Sequence, residues 1–432
     1  MRTPMQHIQV AVAAAILAAP FGAAAAQTIA ITGAKVYPVR GAPIENGTVL
    51  IRDGRIAAVG ATVDIPADAQ RVDARGKVVT PGFINSGTQL GLVDIGFASG
   101  PTDQAARGKE QVAAAFRVWD GLNPANIYIA PARQDGITSV VVAPGGGQLI
   151  AGQAALIDNA GTTAAEMVRR APVAMLAQVG NSQGAGVGAR GELLGKVREV
   201  LGDARDYARR RSAFESGQTR EFAASRADLE ALQPVLAVRV PMVIAADRAS
   251  DITAALNLAK DFGLRIMIAG GAEAWEVAPA LAAAKVPVIT GAMNNIPGDF
   301  SSLGMRQENA AILARAGVPV ALVGNAGGGD EELFNVRNVR FEAGNAVAYG
   351  MAWDAALRAV TLTPAELFGV SDKVGALAPG MDANVVVWSG DPFEFATRAE
   401  HVYVRGVEDN APTRQDLLTA RYNHLPPEYT QP

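Results

Sequence analysis

Continuous runs of Val, Ile, Ala and Met recur along the middle of the chain, and Ala-rich stretches with helical spacing separate them. Strands of a parallel sheet are covered on both faces, so they appear in a sequence as unbroken apolar runs. The predicted strands are Thr138–Ala143, Val173–Gly180, Val240–Asp247, Arg265–Gly271, Val286–Gly291 and Val318–Asn325. Strands that alternate with helices in this way predict an α/β fold with a (β/α)8 TIM-like barrel over residues 81–369.

Two flanking regions have a different pattern, in which apolar and polar positions alternate between Gly and Asp-Gly turns. Residues 27–80 and 374–410 therefore predict short strands, and we expect the two flanks to combine into one small composite β-sandwich. Residues 182–230 are charged, with alternating sign, and predict a solvated helical excursion from the barrel. Residues 411–432 are expected to form a C-terminal tail.

The first 26 residues have the pattern of a secretory signal peptide. Arg2 supplies a positive start, Ile8 to Phe21 is a short apolar run, and Ala24 to Ala26 fits a small-residue cleavage site. We expect the mature chain to begin near Gln27 and to be periplasmic or secreted. An uncleaved membrane anchor is the alternative, although the run is shorter than the ~20 residues that a span needs. No later segment is apolar for long enough to span a membrane.

Composition excludes several kinds of function. The formal net charge is -4, with no basic stripe, which argues against nucleic acid or an anionic membrane as partner. The chain has no cysteine and no histidine between His7 and His401. The predicted barrel therefore lacks the residue types that Ser/His/Asp and Cys/His catalysis require.

Three segments resemble a known family. VVTPGFINSGTQLGL, from Val78 to Leu92, is similar to the first barrel strand of the amidohydrolase superfamily, which reads PGFID-x-H-x-H-L. GALAPGMDANVVVWSGDP resembles the closing motif of that superfamily, and residues 135–161 resemble its imidazolonepropionase-like subgroup. The resemblance implies a hydrolase lineage that acts on non-peptide C–N bonds of amides or cyclic amides. It also implies zinc or another divalent metal at the C-terminal mouth of the barrel.

The chain departs from this family at the metal ligands. The resemblance assigns the five vestigial ligand positions to Gly87, Gln89, Ala245, Gly270 and Asn325. None is a histidine or an acid. The strand that often ends in a carboxylated lysine in the family has no lysine at its end in this chain. We therefore predict no metal cofactor and leave the catalytic residues unknown. The missing ligands therefore predict that the protein is a pseudoenzyme, and they leave its enzymatic activity uncertain.

Polar residues near the predicted mouth suggest a ligand-binding site instead. Gln89, Asp247, Arg248 and Asn325 are the expected lining, and the expected ligand is a small polar molecule. For Asp247 and Arg248 the alternative is a structural ion pair or a cap on the next helix. The protein is also expected to form a homo-oligomer, or a hetero-oligomer with an active amidohydrolase.

Two other functions stay open. An active hydrolase with an atypical site could use oxygen ligands from Asp247, Asp299 and Asp330 for Ca²⁺ or Mg²⁺. It could equally use a metal-free carboxylate pair such as Asp247 with Glu273. The last alternative is a structural subunit, which would have side chains filling the barrel mouth.

Overall fold

The computed structural model describes residues 28–94, 102–145, 147–180, 189–293, 297, 300, 302–324, 335–410, 412 and 414–423. The β-strands, in chain order, are β1 Ile29–Val36, β2 Ile44–Arg52, β3 Arg55–Gly60, β4 Gln70–Asp73, β5 Val78–Pro81, β6 Phe83–Thr88, β7 Ile137–Val142, β8 Ile150–Asp158, β9 Val168–Gln178, β10 Met242–Ala246, β11 Ile266–Gly270, β12 Val288–Thr290, β13 Val320–Leu322, β14 Val385–Trp388, β15 Ala399–Val404 and β16 Val407–Glu408. The α-helices are α1 Ile129–Gln134, α2 Ala164–Met167, α3 Arg190–Arg209, α4 Arg211–Glu215, α5 Arg226–Ala231, α6 Gln233–Leu236, α7 Ala249–Phe262, α8 Ala278–Ala284, α9 Asn309–Arg315, α10 Val339–Ala348, α11 Trp353–Ala359, α12 Leu362–Leu367 and α13 Arg414–Tyr422. Short 3-10 helices span Val118–Gly121, Ala274–Val277 and Val336–Asn338.

Strands from both ends of the chain form one sheet, in the order β16-β15-β14-β5-β1-β2-β3, with β4 paired to β1. The two flanks meet where β14 runs antiparallel to β5, with Val386 opposite Thr80. The sheet encloses its own apolar core, in which Ile31, Val49 and Val385 are fully buried. The prediction that the two flanks combine next to the barrel is therefore confirmed, and the structure shows the composite β-sandwich as one sheet of eight strands.

A second sheet, in the order β13-β12-β11-β10-β9-β8-β7-β6, makes the TIM-like barrel. Seven of its strands run in the same direction, but β8 is antiparallel to both β7 and β9. The expectation that this region consists only of parallel strands with helices between them is therefore wrong at β8. Residues 143–149 are too few to hold the helical crossover that a parallel neighbour requires, so the chain turns back on itself.

Burial on both faces explains the unbroken apolar runs of the barrel strands. On β7, Val141 belongs to the apolar cluster inside the barrel, whereas Val140 and Val142 pack in the cluster between the barrel and its helices. The first and last strands come together as well. Val323, directly after β13, lies 3.5 Å from the position that a Cβ on Gly87 would occupy.

Within the described residues, the helical excursion predicted for residues 182–230 lies in the connection between β9 and β10. Its long helix α3 buries Leu193, Val197 and Leu201 in the apolar cluster outside the barrel. The predicted signal peptide and most of the tail after α13 lie outside the described residues. In the part of the chain that the structure describes, no helix has both the length and the apolar composition needed to cross a bilayer.

Candidate ligand-binding site

The carboxyl-terminal ends of the barrel strands surround a cavity of about 310 Å³. Several strands contribute to its wall, and the wall continues the apolar interior of the barrel. The lining residues are Ser86, Gly87, Thr88, Gln89, Val141, Ala143, Pro144, Ala154, Ala174, Leu176, Val243, Ala269, Gly270, Ile289, Val323 and Phe368. Polar side chains in this set come only from the end of β6 and the residue after it, and no side chain in the set is charged.

Three of the vestigial ligand positions reach this cavity. Gly87, Gln89 and Gly270 line it directly. Ala245 is exposed near the end of β10 and stands opposite the lining residue Ala269 in the parallel register of β10 and β11. Asn325 lies outside the described residues, so its place relative to the cavity stays a prediction.

The side chains at these positions do not fit a divalent metal centre. Zinc in proteins is held by cysteine, histidine and carboxylate ligands, and Ca²⁺ or Mg²⁺ by several oxygen ligands. Gly87, Ala245 and Gly270 have no donor atom in their side chains, and Gln89 offers a single neutral amide. Across the described ranges, no group of three or more His, Cys, Asp or Glu side chains is arranged to hold a metal ion.

Asp247 and Arg248, which were expected to line the site, are not among the lining residues of the cavity. The Oδ1 atom of Asp247 accepts a hydrogen bond of 3.3 Å from the backbone N–H of Ala272. The guanidinium of Arg248 donates to the backbone carbonyl of Phe300, at 2.9 Å. These contacts join the loops that follow β10, β11 and β12.

The cap of helix α7 comes from a different residue from the one expected. Arg248 is the N-cap residue, but its side chain makes no capping hydrogen bond to the helix. The carboxylate of Glu273 instead accepts from the backbone N–H of Ala249 at 3.0 Å and from that of Gly304 at 3.2 Å. A carboxylate at this end of a helix satisfies an open N–H and interacts favourably with the helix dipole. Asp299 and Asp330, the other acids considered for an oxygen-ligand site, lie outside the described residues.

An ion pair joins Asp251, in the first turn of α7, to Arg190, the first residue of α3. Asp251 is buried, and its Oδ2 accepts a hydrogen bond of 3.1 Å from Arg190 Nε. Burial raises the pKa of Asp251, and the positive charges of Arg190 and Arg248 offset this only in part. The pair fastens the start of α3 to the start of α7, close to the mouth.

Sequence reasoning missed Ser86 and Phe368 as lining residues. Alternation along β6 was the available signal for Ser86, because Ile84 belongs to the interior cluster and the residue two positions later faces the same side. Ser86 is 3% exposed, and its hydroxyl has no hydrogen-bond partner among the described residues. Phe368 follows α12 and enters the interior from a helix connection, for which the local pattern gives no such signal.

Comparison with known proteins gives the family. The Amidohydrolase family matches residues 292–412. The chain is 23% identical over 396 residues to Amidohydrolase tasK of Hapsidospora irregularis, covering 83% of this chain and 39% of that protein. It is 27% identical over 375 residues to an imidazolonepropionase of Bradyrhizobium sp. (strain BTAi1 / ATCC BAA-1182), covering 80% of this chain and 87% of that enzyme. The chain thus spans well under half the length of the first relative and most of the second.

The fold agrees with these matches. The crystal structure of an amidohydrolase from Thermotoga maritima MSB8 superposes with a TM-score of 0.79 at 28% identity, over 88% of this chain and 99% of that one. The same family is indicated by three findings: the barrel with its composite sheet, the family match and the related sequences. The chain belongs to the amidohydrolase superfamily.

Proposed function

We propose that this amidohydrolase-superfamily protein binds a small molecule in its barrel and does not use a divalent metal for hydrolysis, which makes it a pseudoenzyme. One observation carries the proposal: Gly87, Gln89 and Gly270 line a single cavity, with Ala245 beside them, and none offers an imidazole or a carboxylate. A catalytic metal generates hydroxide by lowering the pKa of its bound water from 15.7 to about 7. These four side chains supply too few donor atoms to hold such an ion.

In this proposal the chain descends from hydrolases of non-peptide C–N bonds and no longer carries out that reaction. An active hydrolase with a carboxylate-only site is the alternative. The contacts of Asp247 and Glu273 argue against it, because both carboxylates accept hydrogen bonds from backbone N–H groups of neighbouring loops. A purely structural subunit is the other alternative. The open cavity favours ligand binding over that role, since an abandoned site would gain stability if apolar side chains filled it.

Export and partnership are further parts of the proposal. The N-terminal segment has the pattern of a cleavable signal peptide, which supports a periplasmic or secreted protein with a mature start near Gln27. N-terminal sequencing of the protein from a bacterial periplasm tests this, and retention of Met1 would contradict it. An oligomer with an active relative would give the pseudoenzyme a role, and size-exclusion chromatography of the two co-expressed proteins tests that association.

A hydrolase assay tests the loss of metal-dependent activity. Purified mature protein is incubated with a panel of amides and cyclic amides, after zinc or manganese supplementation and, separately, after treatment with a chelator. Gln89→Leu serves as the matched control for a contaminating hydrolase. We expect the same background turnover in every arm. Turnover that metal restores, that the chelator abolishes and that Gln89→Leu reduces would overturn the proposal.

A further inference from the structure

We infer that the barrel cavity takes a neutral ligand with an apolar body, and that the hydroxyl of Ser86 is the polar contact of that ligand. The inference rests on the proposed function, because it names the class of molecule that the barrel binds. It also replaces the small polar molecule expected from the sequence. Three observations support it: the wall of the cavity is mostly apolar, the buried hydroxyl of Ser86 has no hydrogen-bond partner among the described residues, and the described lining residues carry no charge.

The wall of the cavity is apolar on most sides. Val141, Leu176, Val243, Ile289 and Phe368 come from four strands and one helix connection, and all five belong to the apolar interior of the barrel. Side chains of this kind offer a ligand dispersion contacts and removal from water, but no hydrogen bonds. A polar ligand would lose its hydration here without replacement, whereas an apolar body would gain from burial.

Ser86 is the one polar side chain of the lining that is deeply buried and has no hydrogen-bond partner in the described part of the chain. Its polar neighbours on β6 already have partners. Asn85 donates to the carbonyl of Val336 at 3.0 Å, and the hydroxyl of Thr88 accepts from the N–H of Leu90 at 3.1 Å. A buried polar atom without a partner is costly, so a ligand that bonds to Ser86 removes that cost on binding. A hydroxyl both donates and accepts, which suits an amide or a hydroxyl group on the ligand.

Charge and size narrow the class further. The described lining has no charged side chain, and a buried charge without a partner is strongly unfavourable. An ionised ligand is therefore excluded from the apolar part of the cavity. The volume of about 310 Å³ is about ten times the ~30 Å³ that a water molecule occupies in the liquid. It suits a bicyclic aromatic compound or a short aliphatic chain with one polar group.

The test uses mature full-length protein and the neutral fluorescent probe N-phenyl-1-naphthylamine, whose emission rises in an apolar site. Four competitors separate the requirements: 1-naphthamide is apolar and neutral with a polar end, and 1-naphthoate has the same ring system with a charge. Naphthalene has no polar end, and hydantoin is a polar cyclic amide with no apolar body. We expect 1-naphthamide to displace the probe at least tenfold better than 1-naphthoate or hydantoin.

Variants test the assignment to this cavity and to Ser86. Ser86→Ala is expected to weaken the binding of 1-naphthamide about two- to tenfold, as the loss of one hydrogen bond does. The affinity for naphthalene should stay unchanged. Ser212→Ala, on an exposed serine, is the matched control and should change neither. Ala269→Leu narrows the cavity and should weaken all bound compounds, whereas Ala283→Leu, on an exposed position of α8, should not.

The outcomes separate the inference from the proposed function. Displacement by 1-naphthoate as strong as by 1-naphthamide, or stronger displacement by hydantoin, overturns the neutral apolar class but leaves small-molecule binding in place. An equal effect of Ser86→Ala on naphthalene and 1-naphthamide overturns the role of the hydroxyl. If neither the probe nor any competitor binds, or if Ala269→Leu has no effect on binding, the cavity is not the binding site and the proposed function fails too.

Discussion

Gly270 and Asp247 exclude a side chain from one of the vestigial ligand positions. Gly270 has a φ of +86°, and a Cβ placed on it would lie 2.5 Å from Oδ1 of Asp247. Only glycine adopts this backbone region without strain, and the carboxylate of Asp247 lies against the place that a Cβ would take. At Gly87 the backbone is ordinary, and the nearest atom to such a Cβ is Val323 Cγ2 at 3.5 Å. The backbone therefore disfavours any side chain at position 270, whereas at position 87 only the residue type leaves the position without a ligand atom.

Substitution of the two glycines by alanine should separate these cases. Gly270→Ala is expected to reduce the free energy of unfolding by about 1–3 kcal/mol, because the new Cβ is strained at positive φ and displaces Asp247. Gly87→Ala, the matched control, should change it by less than about 0.5 kcal/mol. Urea denaturation at 25 °C measures both values. An equal loss in the two variants would contradict the conformation described for Gly270.

Histidines at the first-strand positions should create a metal-binding site. Gly87 and Gln89 both line the cavity, and Gly87 has room for a side chain. In the Gly87→His, Gln89→His double variant, two imidazoles would face the same space. Zinc at about a hundred times its Kd should then add about 2.7 kcal/mol of stability, seen as a rise in Tm. The two single variants are the controls, and a double variant that responds to zinc no more than they do would show that the two positions do not converge.

Much of the barrel could be predicted from the sequence, because burial on both faces leaves a local signal. β7, β10 and β11 appear as unbroken Val, Ile and Met runs, and the structure confirms strands there. The sequence-based prediction lacks β8, and the direction of that strand could not be predicted either. Its sequence IAGQAALID has strand-forming residues, but its antiparallel course depends on pairing with β7 and β9, which no local pattern specifies.

The site was predicted in part for the same reason. Motif resemblance located Gly87, Gln89 and Gly270, which line the cavity. It also suggested Asp247 and Arg248, yet their side chains bond to the backbone of neighbouring loops. Where a polar side chain points at the end of a strand depends on the loops around it, and residue type alone does not determine that.

Asp251 should make stability depend on pH in a specific way. Burial raises its pKa in the folded protein, so the folded state holds this proton to a higher pH than the unfolded chain does. The contribution is present below the ordinary aspartate pKa of 3.8 and is lost as pH rises through the raised folded value. Stability of the parent should therefore fall relative to Asp251→Asn as the pH rises from below 3.8 through the range in which the folded carboxyl ionises. Urea denaturation over this range checks the difference, and a constant or increasing difference would contradict it.

Arg169 should be one of the most sensitive charged residues in the fold. Its side chain is 10% exposed and forms ion pairs with Asp158 at 2.7 Å and Asp382 at 2.6 Å. Burial alone would lower the pKa of Arg169, but the two carboxylates outweigh burial and raise it. The residue links β9 to the segment that leads into β14, and so joins the barrel to the composite sheet.

Arg169→Met is expected to reduce the free energy of unfolding by about 3 kcal/mol, the low end for a broken buried ion pair. Asp158 loses its nearer countercharge and keeps only Arg405, whose Nε lies 3.4 Å from Oδ2 of Asp158. The matched control is Arg211→Met, which removes exposed ion pairs with Glu215 and Glu230 and should cost about 0–1 kcal/mol. Urea denaturation of both variants gives the comparison. Similar losses would mean that the buried pair contributes no more than an exposed one.

The metal content of the mature protein tests the central claim most directly. Protein expressed in medium supplemented with zinc, nickel and manganese is purified without chelator, and the metals are measured by inductively coupled plasma mass spectrometry. We expect sub-stoichiometric metal that does not change in Gln89→Leu, since Gly87, Gln89, Ala245 and Gly270 supply no adequate set of ligands. One or two tightly bound divalent ions per chain, reduced in Gln89→Leu, would contradict it.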